Sequence, residues 1–140
     1  MAKGVDDSVF DAALDLIATS TLMTLCSQQP TTRTEAITTY MLADVTMVAG
    51  DGNGDYTVSA GDASGRKVRM TAQAGEAVTN SGTGTYVALC DGSTLLCWTT
   101  CTGVVVSDSG TVDFPAWDYE FTDPTYGLAV CFYYFDNRRI

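Results

Sequence analysis

Thr85-Tyr-Val-Ala-Leu-Cys-Asp-Gly-Ser-Thr-Leu-Leu-Cys-Trp-Thr99 is the stretch that decides the fold class. Two short runs of aliphatic, aromatic and β-branched residues flank Asp91-Gly-Ser-Thr94, whose residues favour a tight reversal. The stretch reads as a β-hairpin. A four-residue loop sets Leu89 opposite Leu96 and Val87 opposite Trp98, gathering an aliphatic and aromatic cluster on one side.

Upstream, Val68, Met70 and Ala72 alternate with Lys67, Arg69 and Thr71, the pattern of a strand with one buried and one wet face. Val45 to Val48 reads as a strand that ends at the Gly50–Gly54 turn, with Tyr56 to Ser59 returning as its hairpin partner. Leu22 to Cys26 fits a strand, Gln28 to Thr34 with Pro30 a connector, and Ala36 to Tyr40 is ambiguous. Downstream, strands are expected at Val104 to Val106, Thr111 to Phe114 and Trp117 to Phe121, with Pro115 and Pro124 marking edges or turns. Leu128 to Phe135 is apolar or aromatic on both faces, so each face needs a cover: the chain's own core, the N-terminal helix or another subunit.

Only the N-terminus carries a helical period. From Asp6 to about Ala18, Val9, Phe10, Ala13, Leu14 and Ile17 recur at spacings of three and four, with Asp6 as N-cap and Val5 and Phe10 spaced as a hydrophobic staple. The expected fold is therefore mainly β, an antiparallel β-sandwich or flattened barrel with one N-terminal α-helix, built as a single domain over residues 1–140.

Composition narrows the functions. The chain is 46% hydrophobic and 17% charged, with 17 acidic against 7 basic residues and a formal charge of -10. Such a field repels nucleic acid, and neither a secretory leader nor a membrane-spanning run is read from the letters. The absence of histidine removes histidine-dependent triads and histidine metal sites. Five cysteines, Cys26, Cys90, Cys97, Cys101 and Cys131, are an odd number in a chain able to build its own core, and read as free thiols.

Several groups of residues have the types that chemistry would need. Asp108, Asp113, Asp118, Glu120 and Asp123 are close in sequence but read as polar strand phases and turn residues rather than a catalytic pair. Cys97 and Cys101 lie about 13 Å apart on one strand face, too far for one metal, with Cys90 nearer to Cys97 across the hairpin. Asp51, Asn53, Asp55, Thr57, Ser59 and Asp62 have the spacing of calcium-loop ligands, but Tyr56 stands where that loop needs glycine and Asp62 where it needs glutamate. Gly61 to Lys67 lacks phosphate-loop spacing. Arg66, Lys67 and Arg69, with Arg138 and Arg139, read as solvated charges or as partners for acidic groups on a neighbouring subunit. No catalytic, cofactor-binding or metal residue is assigned.

The phrases Met1-Ala-Lys-Gly-Val5, Leu25-Cys-Ser-Gln-Gln-Pro-Thr-Thr32, Gly61-Asp-Ala-Ser-Gly-Arg-Lys-Val68, Thr85-Tyr-Val-Ala-Leu-Cys-Asp-Gly92, Cys97-Trp-Thr-Thr-Cys-Thr102 and Phe114-Pro-Ala-Trp-Asp118 together resemble small structural proteins of tailed-bacteriophage virions. The resemblance implies a non-enzymatic, multicopy virion component made in the bacterial cytoplasm. Head decoration is the expected role, with the major capsid protein and copies of itself as partners and with the C-terminal strands contributing to the interface. A head-to-tail connector or tail component is the alternative. A carbohydrate-binding or adaptor module, with Trp98, Trp117, Tyr119 or Tyr126 as a stacking platform, is the reading from a different class.

Overall fold

The computed structural model describes residues 4–124, in which one α-helix and nine strands follow one another. Leu128 to Phe135, Cys131, Tyr126, Arg138 and Arg139 lie outside the described residues.

The helix α1 spans Asp7–Ile17, and Asp6 caps it by accepting a hydrogen bond from the Ser8 amide at 2.9 Å. Its buried stripe is narrower than its apolar spacing suggests. Leu14 and Ile17 are buried, Phe10 is half-buried and stacks on Phe121 with ring centroids 5.9 Å apart, while Val9 and Ala13 face solvent. The helix packs mainly against the strand Arg66–Met70, with lesser contact to Tyr56–Ala60 and Leu95–Val106.

The strands are β1 (Leu22–Cys26), β2 (Met41–Thr46), β3 (Tyr56–Ala60), β4 (Arg66–Met70), β5 (Gln73–Ala77), β6 (Gly82–Cys90), β7 (Leu95–Val106), β8 (Thr111–Phe114) and β9 (Trp117–Phe121). They form a four-stranded sheet ordered β2-β1-β6-β7, a three-stranded sheet ordered β3-β4-β9 and the pair β5-β8, with every ladder antiparallel. Among the described residues the ladders do not close into a barrel. The protein is thus mainly β, with several antiparallel sheets and one N-terminal helix.

One apolar cluster joins these elements: Leu14 and Ile17 from the helix, Met23, Leu25, Val87, Leu89 and Cys97 from the large sheet, Tyr56, Val68 and Met70 from the second sheet, and Phe114 from β8. Fully burying a side chain the size of Met23 or Leu89 contributes about 1.5–3 kcal/mol. A smaller cluster lies on the other face of the large sheet, where Ala36 of a π-helical turn (Glu35–Thr39) covers Cys26, Ala88 and Cys90. That turn occupies the ambiguous Ala36–Tyr40 stretch.

The expected hairpin between Val45–Val48 and Tyr56–Ser59 does not form. Strand β2 pairs with β1, and β3 pairs with β4. The intervening loop carries the chain from one sheet to the other, because its acidic side chains bind distant amides: Asp55 Oδ2 accepts from Val48 N and Asp51 Oδ1 from Val58 N, each at 2.7 Å. Gly50, at φ 113°, supplies the turn and donates to the Ala18 carbonyl.

The β6–β7 hairpin forms around the expected loop, but its register differs. Cys90 faces Leu95 while Leu89 faces Cys97, so Leu96 is the extra residue of a β-bulge. Every partner beyond it shifts by one, and Trp98 meets Ala88 rather than Val87. The single cluster expected from Val87, Leu89, Leu96 and Trp98 is therefore split between two faces. The loop itself holds the bulge in place: Asp91 Oδ1 accepts from Ser93 N and Thr94 N at 2.7 and 2.6 Å.

Two further differences follow from local chemistry. Leu95–Thr99 and Val104–Val106 are one twelve-residue strand, carried through Gly103 by an irregular pairing with Gly84 and Tyr86. Strand β5 carries no strand signal in its letters, since Gly75 sits within it at φ 73° and it has no apolar alternation.

Candidate functional site

Most of the acidic residues singled out for chemistry are engaged by donors of the chain itself. Asp118 pairs with Lys67 Nζ at 3.1 Å and with an Arg69 guanidinium nitrogen at 3.0 Å, and Lys67 also meets Asp62 at 2.6 Å. Hydrogen bonding from Asp62, then Asp118, holds the Lys67 ammonium above its ordinary pKa. Glu120 accepts from Asp62 N at 2.9 Å, Asp113 from Gly75 N at 2.7 Å, and Asp108 from Ser109 Oγ at 2.9 Å. The Asp123 amide donates to Ser64 Oγ. These carboxylates close turns and cross-brace strands.

The calcium-like loop is organised in the same way. Beyond its bond to Val48, Asp55 accepts from Thr71 Oγ1 at 2.7 Å and Gln73 Nε2 at 3.0 Å, and the Val48 amide leads in holding its carboxyl below the usual range. Its oxygens point at donors within the fold. Among the described residues no three cysteine, aspartate or glutamate side chains gather in an arrangement that would hold a metal ion.

The bulge sets the cysteines on two faces: Cys97 faces the main core, whereas Cys90, still close enough to Cys97 for the two to interact electrostatically, turns to the opposite face beside Cys26. Cys26, Cys90, Cys97 and Cys101 are free thiols. Burial pushes Cys97 up to about 12 and Cys90 up to about 11. Arg66, from the basic phrase, bonds Asp11 of α1 at 2.7 Å and ties the helix to β4.

The aromatic platform is divided as well. Trp117 turns inward, its Nε1 donating to the Met23 sulfur at 3.4 Å, and Tyr119 packs edge-on against Phe121. Trp98 lies on the outer face of the large sheet, edge-on to Tyr86 with centroids 5.7 Å apart, and is 37% exposed.

Among the described residues, strand β7 stands at the border of its sheet, and Leu95–Val106 holds no charged residue. Val106 turns into the core and Val105 beside it is 80% exposed. A trough of about 720 Å³ runs along Leu95–Thr100, walled by Gln29, Pro30 and Thr31 on one side and Tyr119 of β9 on the other. A second cavity of about 270 Å³ lies between the large sheet and β8, lined by Leu25, Val87, Cys101 and Val104 on one side and by Val112 and Phe114 on the other. Sequence reasoning did not single out this border, because it is defined by which strands fail to meet.

No helix among the described residues is long and apolar enough to cross a membrane. No protein-family model matches the chain, and neither a curated protein nor a solved structure matches it.

Proposed function

We propose that this protein is a non-enzymatic structural component of a tailed-bacteriophage virion, of the capsid-decoration type. It binds the major capsid protein lattice in many copies through the outer face of β7, and the β2-β1-β6-β7 and β3-β4-β9 sheets act as the two layers of a sandwich. The observation that carries this reading is the uncharged twelve-residue border strand with Val105 80% exposed, on a chain of net charge -10. Soluble β-proteins ordinarily guard a long border strand with lysine, proline or an inward charge. A border strand without charge or proline beside an exposed tryptophan has the make-up of a protein-docking surface, in which aromatic and aliphatic residues sit at the centre and charges at the rim. The phage-like phrases supply the class of partner.

The test is binding to empty capsids of the phage that encodes the chain. Wild-type protein should sediment with heads. Val105→Asp and Trp98→Ala, made separately, should each weaken binding by about tenfold or more while leaving the urea midpoint within the range of ordinary surface substitutions. Normal binding by both variants would reject the β7 face. Wild-type protein that copurifies with phage tails and never with heads would reject decoration and support a tail component.

A further inference from the structure

The large sheet and β8 leave space between them. Buried Leu25, Val87 and Phe114 form the depth of the cavity of about 270 Å³ there, and half-buried Cys101 and Val112 continue its wall. Valine and cysteine are short, so layers that longer side chains would fill stay apart at this point. The Cys101 thiol turns to the Gly84 carbonyl, 3.8 Å away, and the wall presents little else that could hold a water. A water in a cavity needs about two to four polar partners, whereas an apolar wall favours an apolar guest; a cavity of about 150 Å³ lined by aliphatic and aromatic side chains admits benzene.

Polar groups occur at the mouth, where Thr102 and Asp113 are exposed. Asp113 Oδ1 accepts from Gly75 N at 2.7 Å, which fixes the carboxylate in place. On a chain of net charge -10, that carboxylate repels an anion and attracts a cation. We propose that this cavity is a binding site for a small cationic amphiphile, a short aliphatic or aromatic amine whose apolar body lies between Val87 and Val112 and whose ammonium meets Asp113. An apolar recess with a small number of fixed polar groups is the general make-up of a small-molecule site. The site uses neither Trp98 nor Val105, so it stands or falls separately from capsid binding.

Methyl NMR on the full chain, titrated with hexylamine, hexanol and hexanoate, tests it. Hexylamine should shift the methyl signals of Leu25, Val87 and Val112 saturably and leave those of Ile17 and Val45 in place. Hexanol should bind about threefold more weakly, the scale of an exposed ion pair, and hexanoate more weakly still. Asp113→Asn, which keeps an acceptor for Gly75 N, should bring hexylamine to the affinity of hexanol. Cys101→Phe and Val112→Phe, made separately to fill the cavity, should each remove the saturable shifts; the wild-type titration decides without them where a variant fails to fold. Wild-type shifts that never saturate, or that spread over the whole core, would overturn the proposal. Hexanoate binding as tightly as hexylamine would overturn it, and so would an Asp113→Asn protein that still prefers hexylamine to hexanol.

Discussion

The Tyr56 hydroxyl donates to the Ser20 carbonyl oxygen at 2.9 Å, and both residues are fully buried. Tyr56 opens the second sheet and Ser20 lies between α1 and β1, so this bond ties that sheet to the chain entering the first. Tyr56→Phe should lower stability by about 1–2 kcal/mol by leaving a buried acceptor short of its donor. Among the described residues the Ser20 hydroxyl has no hydrogen-bond partner. Ser20→Ala keeps the carbonyl and should be neutral or stabilising by up to about 1 kcal/mol, which paired urea titrations would reveal.

Alkaline pH should destabilise the fold. Burial raises Cys97 to about 12 and Cys90 to about 11 from an ordinary 9.0, and raises Tyr56 as well. The unfolded chain loses these protons first. Their contribution is complete below about pH 9 and disappears as pH climbs through the raised values. Urea midpoints at pH 8, 9.5 and 11 should fall in that order, and Cys97→Ala should show a shallower decline. A flat profile in wild type would contradict the burial of these groups.

Asp55→Ala should lower the melting midpoint, because it removes the acceptor of the Val48, Thr71 and Gln73 bonds at once. Its carboxyl is held below the ordinary 3.8, so its contribution is present above that value and lost as pH falls through the depressed one. The variant should therefore lose less stability than wild type between pH 5 and 2. Wild-type melts with calcium and with chelator should coincide, since the loop carboxylates are bound to the protein's own donors; a calcium-dependent rise would identify a ligand site there.

Gly65→Ala should be more damaging than a typical glycine replacement. Gly65 sits at φ 70°, and a methyl group there would collide with the Phe121 carbonyl of β9. A cost above about 1 kcal/mol is expected from the backbone conformation, with more from the collision. Gly52, at φ 67° with open space around it, is the control and should cost less.

Phe10→Ala should cost about 1–2 kcal/mol, below the 3–5 kcal/mol of a fully buried phenylalanine, because Phe10 is half-buried and its main neighbour is the Phe121 ring. A midpoint equal to wild type would mean that the helix does not dock through this ring.

Local chemistry alone determined much of the secondary structure. Asp6 capping a helix, the Asp91–Thr94 reversal and the strands Leu22–Cys26, Thr111–Phe114 and Trp117–Phe121 all follow from side chains acting within a few residues, so they are legible without a partner. The alternation of Val68, Met70 and Ala72 identified a buried face in part: Val68 and Met70 are fully buried, whereas β4 ends at Met70 and Ala72 beyond it is exposed. Pairing was decided by the tertiary structure. Composition cannot show that Leu96 is a bulge, yet that one residue sends Trp98 and Val87 to different faces and divides the thiols between two clusters. Nor can it show that Asp51 and Asp55 bind distant amides and carry the chain between sheets instead of closing a hairpin. The place of β7 at the border of its sheet among the described residues belongs to the same class of fact: a strand's neighbours depend on which other strands arrive beside it, and that is set by packing across the whole core rather than by the letters of the strand.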